Sequence, residues 1–169
     1  MNKKLNLGCG EDIREGFINL DYINYKGVDV VFDLTTIKDG LKLPFENNYF
    51  DEIICYDVLE HISDILELLK EIDRVCKVNG IISIKVPLGK WVWDNLDHKR
   101  QFNLNSFTVY QFPSKNDLKV IYKKKYILPT RNIFSSIGKR IFGKINLHIK
   151  FMKINTKPIK IVNLEVNSK

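Results

Sequence analysis

Cysteine, proline and glycine are all scarce in this chain, at 3, 5 and 9 of 169 residues. Cys9, Cys55 and Cys76 lie too far apart for a disulfide framework or for the paired spacing of a structural metal site. So few prolines and glycines exclude a fibrous or low-complexity chain. No apolar run approaches the roughly 20 residues that a membrane span requires. The start, Met1-Asn2-Lys3-Lys4, passes almost at once into Leu5-Asn6-Leu7-Gly8, which leaves no room for the apolar centre of a signal peptide. A reducing cytoplasm is the expected location. Internal repeats, low-complexity tracts and linkers are also lacking. One domain over 1–169 is therefore expected, with a basic portion, 130–169, completing or extending it.

A formal charge of +7 suggests a polyanion partner until it is divided along the chain. Residues 130–169 hold nine Lys/Arg against one acid, Glu165, whereas the first 129 hold 18 against 19. The excess belongs to the tail, and the body that precedes it is neutral. Nucleic acid is a possible partner but not the favoured one.

What is present is a succession of short apolar runs separated by turns and helices. Lys4–Leu7, Phe17–Leu20, Val28–Phe32 and Asp51–Tyr56 read as strands. Ser63 can cap a helix with an inward stripe of Ile65, Leu66, Leu68, Leu69, Ile72, Val75 and Cys76, stopped by Asn79-Gly80. Ile81–Val86 is a fifth strand, cut by Pro87. Asn105–Phe112 reads as a short helix, Leu118–Leu128 as a strand, 131–153 as amphipathic and partly helical, and Pro158–Val166 as a last strand. Such a pattern predicts an α/β architecture with a mostly parallel sheet covered on both faces.

In such a sheet ligands bind beyond the carboxyl ends of the strands, where strand order reverses. Gly8-Cys9-Gly10 follows the first strand, where glycine lets a ligand approach the backbone. Asp21 ends the second strand, where a carboxylate can accept both hydroxyls of a ribose in charge-assisted bonds. Asp33, ending the third, can read an adenine edge together with the Leu34 amide. The competing readings are a tight turn for the glycines, a solvated turn acid for Asp21, and a cap on the following turn for Asp33. A dinucleotide site is disfavoured. Ile13 stands where a third glycine is needed, and Asp21 follows Gly10 too closely for a full intervening helix.

Four blocks occur in order: Leu5-Asn6-Leu7-Gly8-Cys9-Gly10; Phe17-Ile18-Asn19-Leu20-Asp21; Leu43-Pro44-Phe45 through Asp51; and Cys55-Tyr56-Asp57-Val58-Leu59-Glu60-His61-Ile62. Together they resemble the S-adenosylmethionine-dependent methyltransferases with a Rossmann-like fold, nearest to short members that abbreviate the first helix. The resemblance covers about residues 4–112. It implies a three-layer sandwich with an antiparallel last strand, and S-adenosylmethionine as cofactor with S-adenosylhomocysteine as product. It also implies cofactor contacts at Gly8, Cys9, Gly10, Asp21, Tyr22, Asp33, Leu34, Tyr56 and Asp57. The stretch from Tyr56 to His61 would border both cofactor and acceptor. Ser83–Pro87 would form a far wall, and Trp91–Arg100 an acceptor-side loop.

Methyl transfer from a sulfonium needs alignment more than covalent catalysis. A general base matters only for an acceptor that must lose a proton, and His61, His98 and Asp57 are the candidates. For His61, capping or packing is an equal reading; Trp91 and Trp93 serve equally as a lid or as loop anchors. No cluster with metal-ligand spacing stands out in the sequence, so no metal is expected. The expected acceptor is a small molecule or saccharide. The alternatives are an RNA or protein methyltransferase using the basic tail, and a non-catalytic domain that binds the cofactor or a membrane surface. The sequence is silent on oligomeric state.

Overall fold

The computed structural model describes residues 2–88, 95–103, 106–107, 118–128 and 144–153, with side chains in the last two stretches at 148–150 alone. Strands β1 (Lys4–Leu7), β2 (Ile18–Asp21), β3 (Val30–Val31), β4 (Phe50–Tyr56), β5 (Cys76–Leu88), β6 (Leu118–Leu128) and β7 (Lys144–Lys153) form one sheet. Their spatial order is β3-β2-β1-β4-β5-β7-β6. The pairs from β3 through β5 are parallel, and β7 runs antiparallel to both β5 and β6. Strand order reverses between β1 and β4, so these two strands open a crevice at their carboxyl ends.

The two faces of the sheet differ sharply in chemistry. Leu5, Leu7, Leu20, Ile53, Cys55, Ile82, Ile84 and Ile149 align across neighbouring strands and are fully buried. Helix α1 (Ile65–Val75) packs its Leu68, Leu69, Ile72 and Val75 into this cluster. Each of those side chains contributes about 1.5–3 kcal/mol by leaving water. The 3-10 turn Leu34–Asp39 adds Leu34 and Ile37 to the same core. Phe102 and Phe107, stacked with centroids 5.5 Å apart, return the later chain to it.

The opposite face carries Asn6, Asn19, Ser83, Lys85 and His148 along with Ile54 and Tyr56. Asn6 Nδ2 donates to Asn19 Oδ1 (3.1 Å) and to the Asp12 carbonyl (2.7 Å). Asn19 Oδ1 also accepts the Arg14 amide (2.9 Å), while Asp29 Oδ2 accepts the Asn19 amide (2.7 Å). Two buried side-chain amides thus hold the short segment between β1 and β2 against the sheet, where an ordinary α/β unit has a helix. Among the described residues, loop rather than helix covers this part of that face.

Several expectations are corrected. Asp64, not Ser63, caps α1, its Oδ1 accepting the Glu67 amide at 3.3 Å. The helix ends at Val75, ahead of Asn79-Gly80. Cys76 is already extended and pairs with Phe50, while Ile81 pairs with Glu52. Asn79, at φ 65°, therefore belongs to an irregularity inside β5 rather than to a helix stop. Pro87 does not cut β5, which continues to Leu88 in register with β7. Residues 144–153 form β7, not helix; Ile145, Leu147, Ile149 and Phe151 alternate at the period of a strand. Leu118–Leu128 is the expected strand, with the expected bounds. Of the short helix at Asn105–Phe112 only Ser106 and Phe107 are described, and they form a turn. Trp91, Trp93 and the strand expected at Pro158–Val166 lie outside the described residues.

Candidate functional site

β1 ends at Gly8, and the chain turns back at once. The Gly8 and Cys9 amides both donate to the Leu20 carbonyl, at 2.8 and 2.9 Å, which ties the turn to the end of β2. Gly8 has φ +67°, and a Cβ there would meet Val58 Cγ2 at 2.4 Å. Both the dihedral and the packing demand glycine. Gly10 also has positive φ, +51°, but its missing Cβ would meet nothing within 4 Å. The space beside it is open.

That space is a cleft of about 570 Å³ at the carboxyl ends of β1, β2 and β4, within the range of about 300–1,000 Å³ for small-molecule sites. Gly8, Cys9, Gly10, Asp21, Tyr22, Asp33, Leu34, Tyr56, Asp57 and His61 all line it. Every residue expected at the cofactor is therefore brought to one hollow. His98 does not line it but meets His61 edge to face, with ring centroids 4.7 Å apart. Val58, and Asp97 and Lys99 of the expected acceptor-side loop, add to the walls, which Ile23, Tyr25, Phe32, Thr35 and Ile62 complete without having been singled out as site residues in the sequence.

Asp21 is buried, 6% exposed, and its carboxylate does local work. Oδ2 accepts the Gly10 amide at 2.8 Å and Oδ1 accepts the Ile23 amide at 3.0 Å. The acid thus fixes the glycine turn and the loop after β2 together, with lone pairs left to face the cleft. Asp33 caps its 3-10 turn, Oδ1 accepting both the Thr35 amide (2.8 Å) and hydroxyl (2.7 Å), and it borders the cleft as well. Burial pushes the Cys9 thiol up to about 11, with the Asp21 carboxylate adding to the shift. It stays protonated and is no nucleophile at neutral pH.

At the other end of the cleft the chain leaves β4 through Asp57, which has φ +55°, a conformation uncommon outside glycine. A 3-10 turn over Leu59–His61 follows. His61 Nδ1 lies 2.9 Å from Asp97 Oδ2, which directs its other ring nitrogen away from Asp97. Glu60 is 1% exposed, and its Oε2 has no hydrogen-bond partner among the described residues. Burial, reinforced by the Asp57 and Asp97 carboxylates, raises the Glu60 carboxyl to about 8. On the polar face, Tyr56 Oη lies 3.0 Å from Ser83 Oγ, which is 2.7 Å from His148 Nε2.

Residues 5–84 match the family model of a methyltransferase domain. This match, over just under half of the chain, supports an S-adenosylmethionine-dependent methyltransferase family. This methyltransferase is 34% identical over 112 residues to an uncharacterized protein of Methanocaldococcus jannaschii, the alignment covering 62% of this chain and 46% of that protein. The chain thus spans less than half the length of that relative. The fold is similar to a complex between the Haloferax volcanii Trm112 methyltransferase activator and a candidate methyltransferase. There the TM-score is 0.65 at 14% identity, over 91% of this chain and 83% of that one. A SAM dependent methyltransferase from Archaeoglobus fulgidus gives a TM-score of 0.58 at 16% identity, over 90% and 86%. At such identities the likeness is one of fold.

Sequence reasoning missed the part played by Asn6 and Asn19. The signal was present, an asparagine at the centre of each of two apolar runs. Such residues are buried only when their amides are satisfied. It also missed the meeting of His61 with Asp97 and His98. No spacing rule joins residues 37 positions apart.

Proposed function

We propose that this methyltransferase binds S-adenosylmethionine in the cleft beyond β1, β2 and β4 and transfers its methyl group directly to a small-molecule or saccharide acceptor. The observation that carries the reading is the convergence of the Gly8–Gly10 turn, Asp21 and Asp33 on one hollow of nucleoside-binding size. The residues fit the cofactor. The open side of Gly10 admits a ligand chain against the backbone, buried Asp21 offers ribose-accepting oxygens, and Phe32 and Leu34 supply apolar walls for a base.

When bound, the cofactor supplies a methyl group already activated by its sulfonium. The protein's task is then positioning and exclusion of water, which together account for about 7–11 kcal/mol of barrier at best. Asp57, His61 and Asp97 line the end of the cleft reached from β4, with His98 behind them. These polar groups suit a hydroxylated acceptor, whose proton one of Asp57, His61 and His98 can take. One domain within a cytoplasmic protein remains the reading for the chain as a whole. No helix among the described residues is long and apolar enough to cross a membrane.

Calorimetric titration with S-adenosylhomocysteine tests the reading. Wild type is expected to bind one equivalent, and Asp21→Asn to bind about 10–100-fold more weakly, as for loss of one charge-assisted hydrogen bond. No binding by wild type, or equal binding by the variant, overturns it.

A further inference from the structure

The turn after β4 carries one group that a methyltransferase of this description does not need. Glu60 is buried beneath the cleft, and its Oε2 is left without a partner among the described residues. An orphaned buried carboxylate oxygen is expensive, at about 1–3 kcal/mol and more when charged. Such an atom points to a missing partner. Two imidazoles stand close by. One ligand atom from each of Glu60, His61 and His98 falls within 4.8 Å of the others.

We propose that Glu60, His61 and His98 form a binding site for a divalent transition-metal cation at the acceptor end of the cleft. Two imidazoles and one carboxylate form the mixed nitrogen and oxygen set that suits cations from Mn2+ to Zn2+. Ligand atoms around one such cation sit about 3–4 Å apart, given bonds of about 2.0–2.2 Å. The observed spacing of up to 4.8 Å exceeds this, so the three groups draw together by about 1–2 Å on binding.

Three further features support the assignment. His61 already has the supporting contact of a metal-bound histidine, because Asp97 holds its Nδ1 at 2.9 Å and leaves Nε2 for a cation. Asp97, in contact with His61, also places a carboxylate beside the set. Of the nearby cations, Arg100 gives Nη2 to the carbonyls of Ile62 (2.8 Å) and Ser63, with its buried Nε unpartnered among the described residues, and Lys99, whose amide donates to the Glu60 carbonyl, lines the cleft. Of the three, His61 lines the cleft, the side from which an acceptor would meet the cation. With a cation bound, the two histidines are ligands rather than bases, and lowering the pKa of an acceptor hydroxyl falls to the metal. The placement of an acceptor there rests on the methyltransferase reading; the ligand set does not.

The test uses the full chain, stripped with a chelator and titrated with Co2+ and Mn2+. Visible absorption follows the first, and the paramagnetic resonance signal of the free ion follows the second. Wild type is expected to take up one equivalent of each. His98→Ala and Glu60→Gln should each weaken binding at least about tenfold, and Asp97→Asn by about 10–100-fold. Thermal melting of each variant establishes that it is folded. Glu60→Gln preserves shape, so it keeps the test valid should the alanine variant unfold. Absence of stoichiometric uptake by wild type, or uptake by the folded variants equal to wild type, overturns the site. Metal uptake by a chain that fails to bind S-adenosylhomocysteine would retain the metal site and remove the methyltransferase reading instead.

Discussion

Gly8 and Gly10 stand two residues apart in one turn and share a positive φ, yet they are demanded for different reasons. Gly8 faces inward onto Val58, whereas Gly10 faces the open cleft. Alanine at Gly8 incurs the left-handed penalty, about 1–2 kcal/mol, plus overpacking of about 1–3 kcal/mol. Alanine at Gly10 incurs the first term alone and places a methyl group where the ligand would lie. The expected outcome is a separation of effects. Gly8→Ala lowers stability in urea by about 2–5 kcal/mol. Gly10→Ala lowers it by about 1–2 kcal/mol but loses S-adenosylhomocysteine binding by more than its stability change would suggest. Parallel denaturation and calorimetry would check this. The Gly-x-Gly pattern was legible in the sequence, but the division of labour within it was not, because Val58 lies 50 residues away.

Between β1 and β2 the chain has room for only a short loop, so the elements themselves must supply what a helix would have provided. Asn19 does most of this. Its Oδ1 accepts from Asn6 and Arg14, and its Nδ2 donates to the Arg14 carbonyl at 3.2 Å. Asn19→Ala leaves the Asn6 amide and the Arg14 N–H without their acceptor, in a buried setting. At about 1–3 kcal/mol for each stranded group, the loss of stability is expected to be about 2–6 kcal/mol. Hydrogen exchange should show the 9–17 loop opening before α1 and β4 do. Exchange and stability equal to wild type would show that the loop is held by other contacts. The same scale explains the misreading of 144–153. Across the wider window of 131–153 the apolar residues suggest an amphipathic helix, whereas Ile145 to Phe151 alternate and Ile145 to Met152 pair along β5.

Seen whole, the molecule depends on β7 to close its sheet. β7 pairs with β5 over eight consecutive residues, Ile81–Leu88, and carries β6 on its other edge. Without it, β5 becomes a long unpaired edge with Ile84 and Val86 uncovered, which favours aggregation. A chain ended after residue 130 is therefore expected to be insoluble or to elute as large aggregates in size-exclusion chromatography. A soluble monomer with wild-type helical content would show that β1–β5 and α1 are self-sufficient. The charge asymmetry places the positive excess in 130–169, so β7 also joins the basic part of the chain to the neutral sheet.

The sequence by itself determined the order of strands β1–β5, the bounds of β6, and the four blocks that lead to the cleft. Each is a local pattern of hydrophobic period and turn residue, which a chain expresses without reference to distant partners. Tertiary structure decided the rest. It chose strand over helix at 144–153 because β5 offered an unpaired edge. It made Asp64 rather than Ser63 the cap because only Asp64 reaches the Glu67 amide. It also brought His98 and Asp97 to Glu60 and His61, since two loops separated by a helix and a strand meet only when the sheet has formed.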